Sequence, residues 1–293
     1  MPTQCSQSEM DFGSSGGRKL VGAFDGGAIT SNGGAVLLGA ADRAIRLSER
    51  LAQCFRDLRA ADAVKHSLAD LLRQRIFGIA LGYEDLIDHD TLRFDPALTA
   101  VLDKPTGRLA GKSTLNRLEH ASKIGLDRHH KLDHDMAAIE RLPVDIFLDA
   151  HREPPVRIVL DLDATDDPLY GAQEGRHFHG YYDCYCYLPL YVFCGRHLLA
   201  ARLRSSSVDA ADGATEEVAR IVAQIRERWP RTTIVIRADS GFCRDDLMTW
   251  CEQNNVKYVL GLAGNSRLRA RLAPDIAKAQ TKARRTGQPA RVF

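Results

Sequence analysis

Two segments of this chain alternate apolar and polar residues and then end on carboxylates, and together they constrain the fold more than any other feature. In Val156-Arg157-Ile158-Val159-Leu160-Asp161-Leu162-Asp163-Ala164-Thr165 the even positions through Leu162 are apolar, whereas Arg157, Val159, Asp161 and Asp163 share the opposite face. A period of two is that of a strand. The second segment, Thr233 to Ala238, ends on Asp239 and continues as Ser240-Gly241-Phe242. One Asp at a strand end often only caps the following turn through its own backbone. Two acids on one strand and a third on another instead point to a shared site, with the chemistry of a metal centre.

The order of elements places these strands. Upstream, apolar residues recur with a helical period: Leu37, Ala41, Ile45, Leu47 and Leu51, then Val64, Leu68, Leu71, Leu72, Ile76 and Ile79. Asp95-Pro96 predicts an N-cap with proline at the first helical position, and two more helices are expected over 113–122 and 127–141. Residues 20–150 thus form an all-helical N-terminal region, preceded by a polar, Gly/Ser-rich tail over 1–19 that is expected to be disordered. From residue 156 the pattern predicts strands at 156–163, 182–193 and 198–203. A helix over 215–229, a strand ending at Asp239, a helix over 244–253 and a strand over 257–262 follow. The turn Cys194-Gly195-Arg196-His197 reads as a hairpin.

The resulting order, β-β-β-α-β-α-β, describes an α/β fold. Three meandering antiparallel strands followed by a right-handed helical crossover set the fourth strand beside the first. Asp163 and Asp239 then lie at the same end of neighbouring strands, the ribonuclease H-like arrangement. In it, carboxylates hold divalent ions that activate a nucleophile and stabilise a leaving oxygen in phosphodiester chemistry. The core is expected over 151–265 and a basic helical tail over 266–293.

Charge supports a polyanionic partner locally. The net charge of the 293 residues is only +2, yet Gly264 to Phe293 holds eight Lys or Arg (Arg267, Arg269, Arg271, Lys278, Lys282, Arg284, Arg285, Arg291) against Asp275 alone. Such a stretch suits phosphates, or simply a solvated helix face. No apolar run approaches bilayer length and the start lacks a secretion signal, so a cytoplasmic protein is expected. Seven scattered cysteines without a CxxC pair suit reduced thiols. His177-x-His179 and Cys184-x-Cys186 have zinc-compatible residue types, but their alternation equally fits a shared strand face.

Several of these segments resemble the DDE transposases of the insertion-sequence 1380 group. They are Leu160-Asp-Leu-Asp-Ala-Thr-Asp-Asp, Gly171-Ala-Gln-Glu-Gly, Gly180-Tyr-Tyr-Asp, Tyr187-Leu-Pro-Leu, Arg237-Ala-Asp-Ser-Gly-Phe, Trp250-Cys-Glu and Tyr258-Val-Leu-Gly-Leu-Ala-Gly-Asn, with Phe24-Asp-Gly-Gly and Ser113-Thr-Leu-Asn-Arg-Leu-Glu upstream. The resemblance covers the chain from about residue 20. It implies a transposase that cuts double-stranded DNA at element ends and joins the 3′ hydroxyl to target DNA, working with Mg²⁺ or Mn²⁺ and as a homodimer. The family's first two acids fall on Asp163 and Asp239, with Asp161 as the alternative or an added metal ligand. Arg117, Arg267, Arg269, Arg271, Arg284 and Arg285 are the expected DNA contacts, with Lys112 and Lys123 beside Arg117. His179 departs from the Asn expected there. The family's third acid, a Glu on a later helix, has no counterpart: after Asp239 the chain offers Asp245, Asp246, Glu252 and Asp275. A truncated product with impaired activity is therefore expected.

Two rivals remain. A remnant that binds DNA without cutting it is one. The other is a haloacid dehalogenase-type phosphatase with Asp161 as nucleophile and Asp163 as general acid, which requires the first strand to feed a parallel sheet.

Overall fold

The computed structural model describes residues 9–15, 18–23, 29–104, 107–120 and 131–292, and the chain divides into two compact units, Met1–Ile139 and Glu140–Phe293. The first unit opens with an antiparallel hairpin of β1 (Glu9–Ser15) and β2 (Arg18–Ala23). This replaces the disordered tail expected for residues 1–19 wherever those residues are described. Gly13 sits at φ +82 beside a register shift between Asp11 and Ser14, and the Asp11 carboxylate accepts its N–H. Only glycine adopts that backbone without strain, so a stretch that looked like linker composition serves a bulged strand.

Helices α1 (Ala35–Ile45) and α2 (Leu47–Gln53) follow, then β3 (Phe55–Asp57), α3 (Leu68–Ala80), α4 (His89–Leu92), α5 (Pro96–Val101), α6 (Lys112–Glu119) and β4 (Leu132–His134). The unit is mostly helical but not all-helical, because β3 and β4 pair antiparallel. Three residues per strand are too few for periodicity to reveal. Local signals did set the helix starts: Ser67 and Asp70 form a reciprocal capping box, and Asp95 accepts the Leu98 N–H at 2.9 Å ahead of Pro96. Two apolar clusters hold the unit, one around Leu71, Leu115 and Leu132, the other around Phe77, Leu98 and Leu109. Between them the buried Gln74 amide both donates to the Ala110 carbonyl and accepts its N–H, fixing the segment that enters α6.

Helix α7 (Met136–Asp149) corrects the expected end at Arg141 and moves the boundary from residue 150 to residue 139. Pro143 lies inside it. An interior proline costs about 3 kcal/mol through its missing N–H and its clash with the preceding turn. Val144, Phe147 and Leu148 are nevertheless fully buried in the second unit's core, and burying such side chains returns about 1.5–3 kcal/mol each. Packing outweighs propensity there.

The second unit continues with β5 (Arg157–Ala164), β6 (Asp167–Pro168), β7 (His177–His179), β8 (Cys184–Tyr187), β9 (Leu190–Cys194) and β10 (His197–Arg202). Then come α8 (Ala214–Arg228), β11 (Thr233–Ala238), α9 (Asp245–Gln253), β12 (Lys257–Leu260) and α10 (Ser266–Thr286). The expected strand over 182–193 is two strands in two sheets. β8 pairs with β6 and β7, whereas β9 belongs to the main sheet. Pro189 between them lacks the N–H that a continuous ladder needs.

The five-stranded sheet runs β10-β9-β5-β11-β12, with β10, β9 and β5 antiparallel and β5, β11 and β12 parallel. This is the ribonuclease H-like order anticipated from sequence, with the all-helical expectation for the preceding region corrected as above. Ile158, Leu160 and Leu162 of β5 and Ile234 and Ile236 of β11 point into one core with Val218, Ile221, Val222 and Ile225 of α8. The alternate residues of β5 face outward, Asp163 among them. No helix of the described residues is long and apolar enough to cross a membrane. Ile221→Ala, which empties a fully buried position, is expected to lower unfolding free energy by about 2–5 kcal/mol, read from the urea midpoint at unchanged m-value.

Candidate metal centre at the strand ends

The parallel pairing of β5 and β11 puts the two expected acids at the same end of neighbouring strands. Arg237 pairs with Asp161 in the parallel ladder. Asp163 and Asp239 each follow that pair by two residues, Asp163 within β5 and Asp239 just past β11. Both residues are exposed. Across the sheet, Asp163 stands opposite Tyr191 of β9 and Asp161 opposite Phe193, and directly paired residues share a face. An aromatic flank therefore borders the acids on one side.

Asp161 is engaged elsewhere. The Arg237 guanidinium donates two hydrogen bonds to it, Nε to Oδ1 at 2.5 Å and the second at 2.9 Å to Oδ2. That bidentate pair raises the Arg237 pKa, first through the hydrogen bond and then through charge. It also occupies both carboxylate oxygens. Asp161, the alternative to Asp163 in the sequence reading, thus ties β5 to β11.

Asp239 has a divided role. Its Oδ1 accepts the Gly241 N–H at 2.8 Å and caps the turn Ser240–Phe242, which is the plain capping function. Its other oxygen stays available. The backbone of Asp239 is seated by Gly261, just past β12, whose N–H donates to the Ala238 carbonyl at 3.0 Å. A Cβ at Gly261 would stand 2.7 Å from the Ser240 nitrogen and 2.9 Å from the Asp239 carbonyl carbon. Only glycine fits that approach. The motif Tyr258-Val-Leu-Gly-Leu contained this residue without disclosing its purpose.

Burial, and then the charges of Asp166, Tyr181 and Asp163, push the Tyr182 phenol above the ordinary tyrosine range. Tyr182 lies in the turn between β7 and β8. His177 and Cys186, and His179 and Cys184, face one another across β7 and β8, so the alternation reflects a shared strand face. Among the described residues no three His, Cys, Asp or Glu side chains converge as a metal cluster, and no third carboxylate joins Asp163 and Asp239. Glu252 is exposed on α9 and accepts the Tyr258 hydroxyl at 2.7 Å, and Asp275 pairs with Lys278.

Of the expected DNA contacts, Arg267, Arg269, Arg271, Arg284 and Arg285 lie on α10, none of whose residues is buried. At about 3.6 residues per turn, Arg267, Arg271, Lys278, Lys282 and Arg285 fall on one side as a stripe, with Arg269 and Arg284 off it. Leu268, Leu272, Ile276 and Ala279 share another side. Arg117 lies on α6 in the first unit. Lys123 and Phe24-Asp-Gly-Gly fall outside the described residues.

Among solved structures, the chain is similar to the catalytic domain of the Mos1 mariner transposase, at 10% identity and TM-score 0.28, covering 58% of this chain and 78% of that one. It is similar to a piggyBac transposase synaptic complex with hairpin DNA at 12% identity and TM-score 0.39, covering 82% of this chain and 53% of the other. A Mos1 mariner paired-end complex with Mn matches at 11% identity and TM-score 0.27, over 87% and 85% of the respective chains. No curated protein matches the chain. The family described as transposase DDE domain group 1 matches residues 12–293, and the chain belongs to that family.

Proposed function

We propose that the chain is a transposase of the insertion-sequence 1380 group that cleaves double-stranded DNA at element ends and transfers the freed strand. In this reading it acts as a homodimer, with Asp163 and Asp239 as the acids that hold Mg²⁺ or Mn²⁺. The observation that supports the reading is the parallel pairing of β5 and β11, whose neighbouring ends carry the exposed Asp163 and Asp239. Oxygen-only donors at such strand ends suit a hard divalent cation, and one oxygen of Asp239 with both of Asp163 is free to bind it. Bound there, the ion supplies charge stabilisation of the phosphoryl oxygens and an activated nucleophile. The protein supplies position: the Gly241 N–H orients Asp239, Gly261 seats its backbone, and the Asp161–Arg237 pair fixes the strand offset.

The basic stripe of α10 supports duplex binding, because cations along one helix face neutralise successive phosphates irrespective of sequence. A second reading, a DNA-binding protein without cleavage, is favoured by one observation: two acids and no third among the described residues. A phosphatase with Asp161 as nucleophile is disfavoured by the Arg237 clamp and by the antiparallel β9 beside β5.

Three measurements bear on this. Millimolar Mn²⁺ is expected to raise the melting temperature by a few degrees, since paired carboxylates repel without an ion. Asp163→Asn/Asp239→Asn is expected to lose that rise together with Mn²⁺-dependent nicking of DNA carrying element ends. An Mn²⁺-stabilised protein that binds DNA and never nicks it would establish the non-catalytic reading instead. Gly261→Ala is expected to shrink the Mn²⁺ shift and to lower nicking by about 10²-fold, the cost of displacing a catalytic group by roughly 1 Å. Arg237→Ala, which removes an exposed ion pair, is expected to change stability by less than about 1 kcal/mol; a Gly261→Ala enzyme with wild-type nicking would count against Asp239 as the acid. Removing residues 266–293 is expected to flatten the dependence of DNA affinity on salt by several ion equivalents, measured by fluorescence anisotropy.

A further inference from the structure

The first unit contains a cavity of about 400 Å³ whose charge the proposed chemistry at the strand ends does not use. It lies between the segment 59–66 and the start of α6, with Arg93 and Asp90 from the α4 region on its wall. The charges there do not cancel. Arg59 is spent on Asp57 at 2.6 Å, and Asp90 is satisfied by the Lys112 N–H and ammonium. Among the described residues, Lys65, Arg93 and Arg117 have no carboxylate partner. Arg93 lies 5.5 Å from the Phe94 ring centroid, and its Nε is buried with no acceptor.

The wall is shaped around that guanidinium. A Cβ at Gly111 would stand 2.8 Å from an Arg93 terminal nitrogen and 3.0 Å from Asp90 Oδ1. The Gln74 amide pins Ala110 immediately before it. Ser113 and Thr114 add hydroxyls at the opening of α6, whose N-cap Gly111 has no capping side chain. Burial, then Lys104 against the opposing Asp70, then Arg93 and Arg59, hold His66 below the ordinary imidazole range.

We infer that this cavity is a phosphate-binding pocket that seats a backbone phosphate of duplex DNA on Lys65, Arg93 and Arg117. Guanidinium groups present forked donors to phosphate oxygens, and an acceptor-poor, cation-rich cavity stabilises an anion more than a flat surface does. The contact carries no base information, so it fixes the first unit on the duplex regardless of sequence. This inference rests on DNA being the substrate, yet it is independent of the strand-end acids.

The test uses the full chain and a fluorescein-labelled duplex of arbitrary sequence, titrated across a salt series. Lys65→Ala, Arg93→Gln and Arg117→Gln are each expected to weaken binding and to reduce the slope of log affinity against log salt by about one. Arg152→Ala, an exposed cation outside the cavity, is the control and should leave the slope unchanged. Should Arg93→Gln fail to fold, Lys65→Ala and Arg117→Lys decide the matter, the latter retaining most of the slope. Unchanged slopes in the cavity variants, or an equal loss in the control, would overturn the pocket. So would stabilisation of the wild type by inorganic phosphate that the variants lose without any change in DNA affinity. Wild-type protein that binds no duplex at any salt would instead refute the transposase reading, and variants with a reduced slope but intact metal-dependent melting shift would separate the two.

Discussion

The parallel pairing of β5 with β11 is the constraint on which the proposed site depends. A strand offset by one residue would turn every side chain to the other face, sending Asp163 or Asp239 inward and Leu160 or Ile236 out. Two features forbid that slip. Inside, Ile158, Leu160, Leu162, Ile234 and Ile236 are buried against α8. Outside, Arg237 grips Asp161 with two hydrogen bonds across 76 residues of sequence. The ion pair is exposed, so its net contribution to stability is small. Its forked geometry specifies register, and in the proposed site register decides which carboxylates share the strand ends.

This arrangement explains why alternation alone nominates Asp161 beside Asp163, which only the family resemblance put first. Asp161 and Asp163 obey the same alternation, and nothing local marks which one is neutralised. Arg237 lies on another strand, and its partner becomes apparent only once the parallel ladder is known. The alternation of β5 and β11, the amphipathic period of α8 and the Asp95 cap were legible because each depends on neighbours within a few residues. Gly261 was not, because it matters through backbone contact with Asp239. Likewise β3 and β4 are too short for a pattern, and α7 passes through Pro143 because distant apolar partners hold it.

The strand ends also show how one residue satisfies both an ordinary and a proposed role. Asp239 caps its turn with one oxygen and leaves the other exposed. Capping orients the carboxylate without burying it, so the bland explanation of an Asp after a strand and the catalytic one are not alternatives here. The same economy applies to Gly261, where absence of a side chain lets β12 close on the Asp239 turn. A carboxylate held by backbone contacts from two directions loses little freedom on meeting a cation, which is the physical content of preorganisation.

Charge is organised differently from chemistry in this chain. The whole molecule is nearly neutral at +2, so long-range attraction to a polyanion is weak, yet among the described residues cations gather in two places: along α10, where Lys278 alone pairs with a carboxylate, and in the cavity beside α6. Local surplus of this kind acts within about a Debye length, roughly 8–10 Å at moderate salt, which favours contacts with individual phosphates over general steering. Binding built from such contacts does not need the strand-end acids, and the acids do not need the cations to hold an ion. Loss of catalysis and loss of DNA affinity are therefore separable by substitution. In the proposed function, a site with two acids and no third among the described residues still leaves the chain the means to occupy DNA, because the affinity would reside in groups that cleavage does not use.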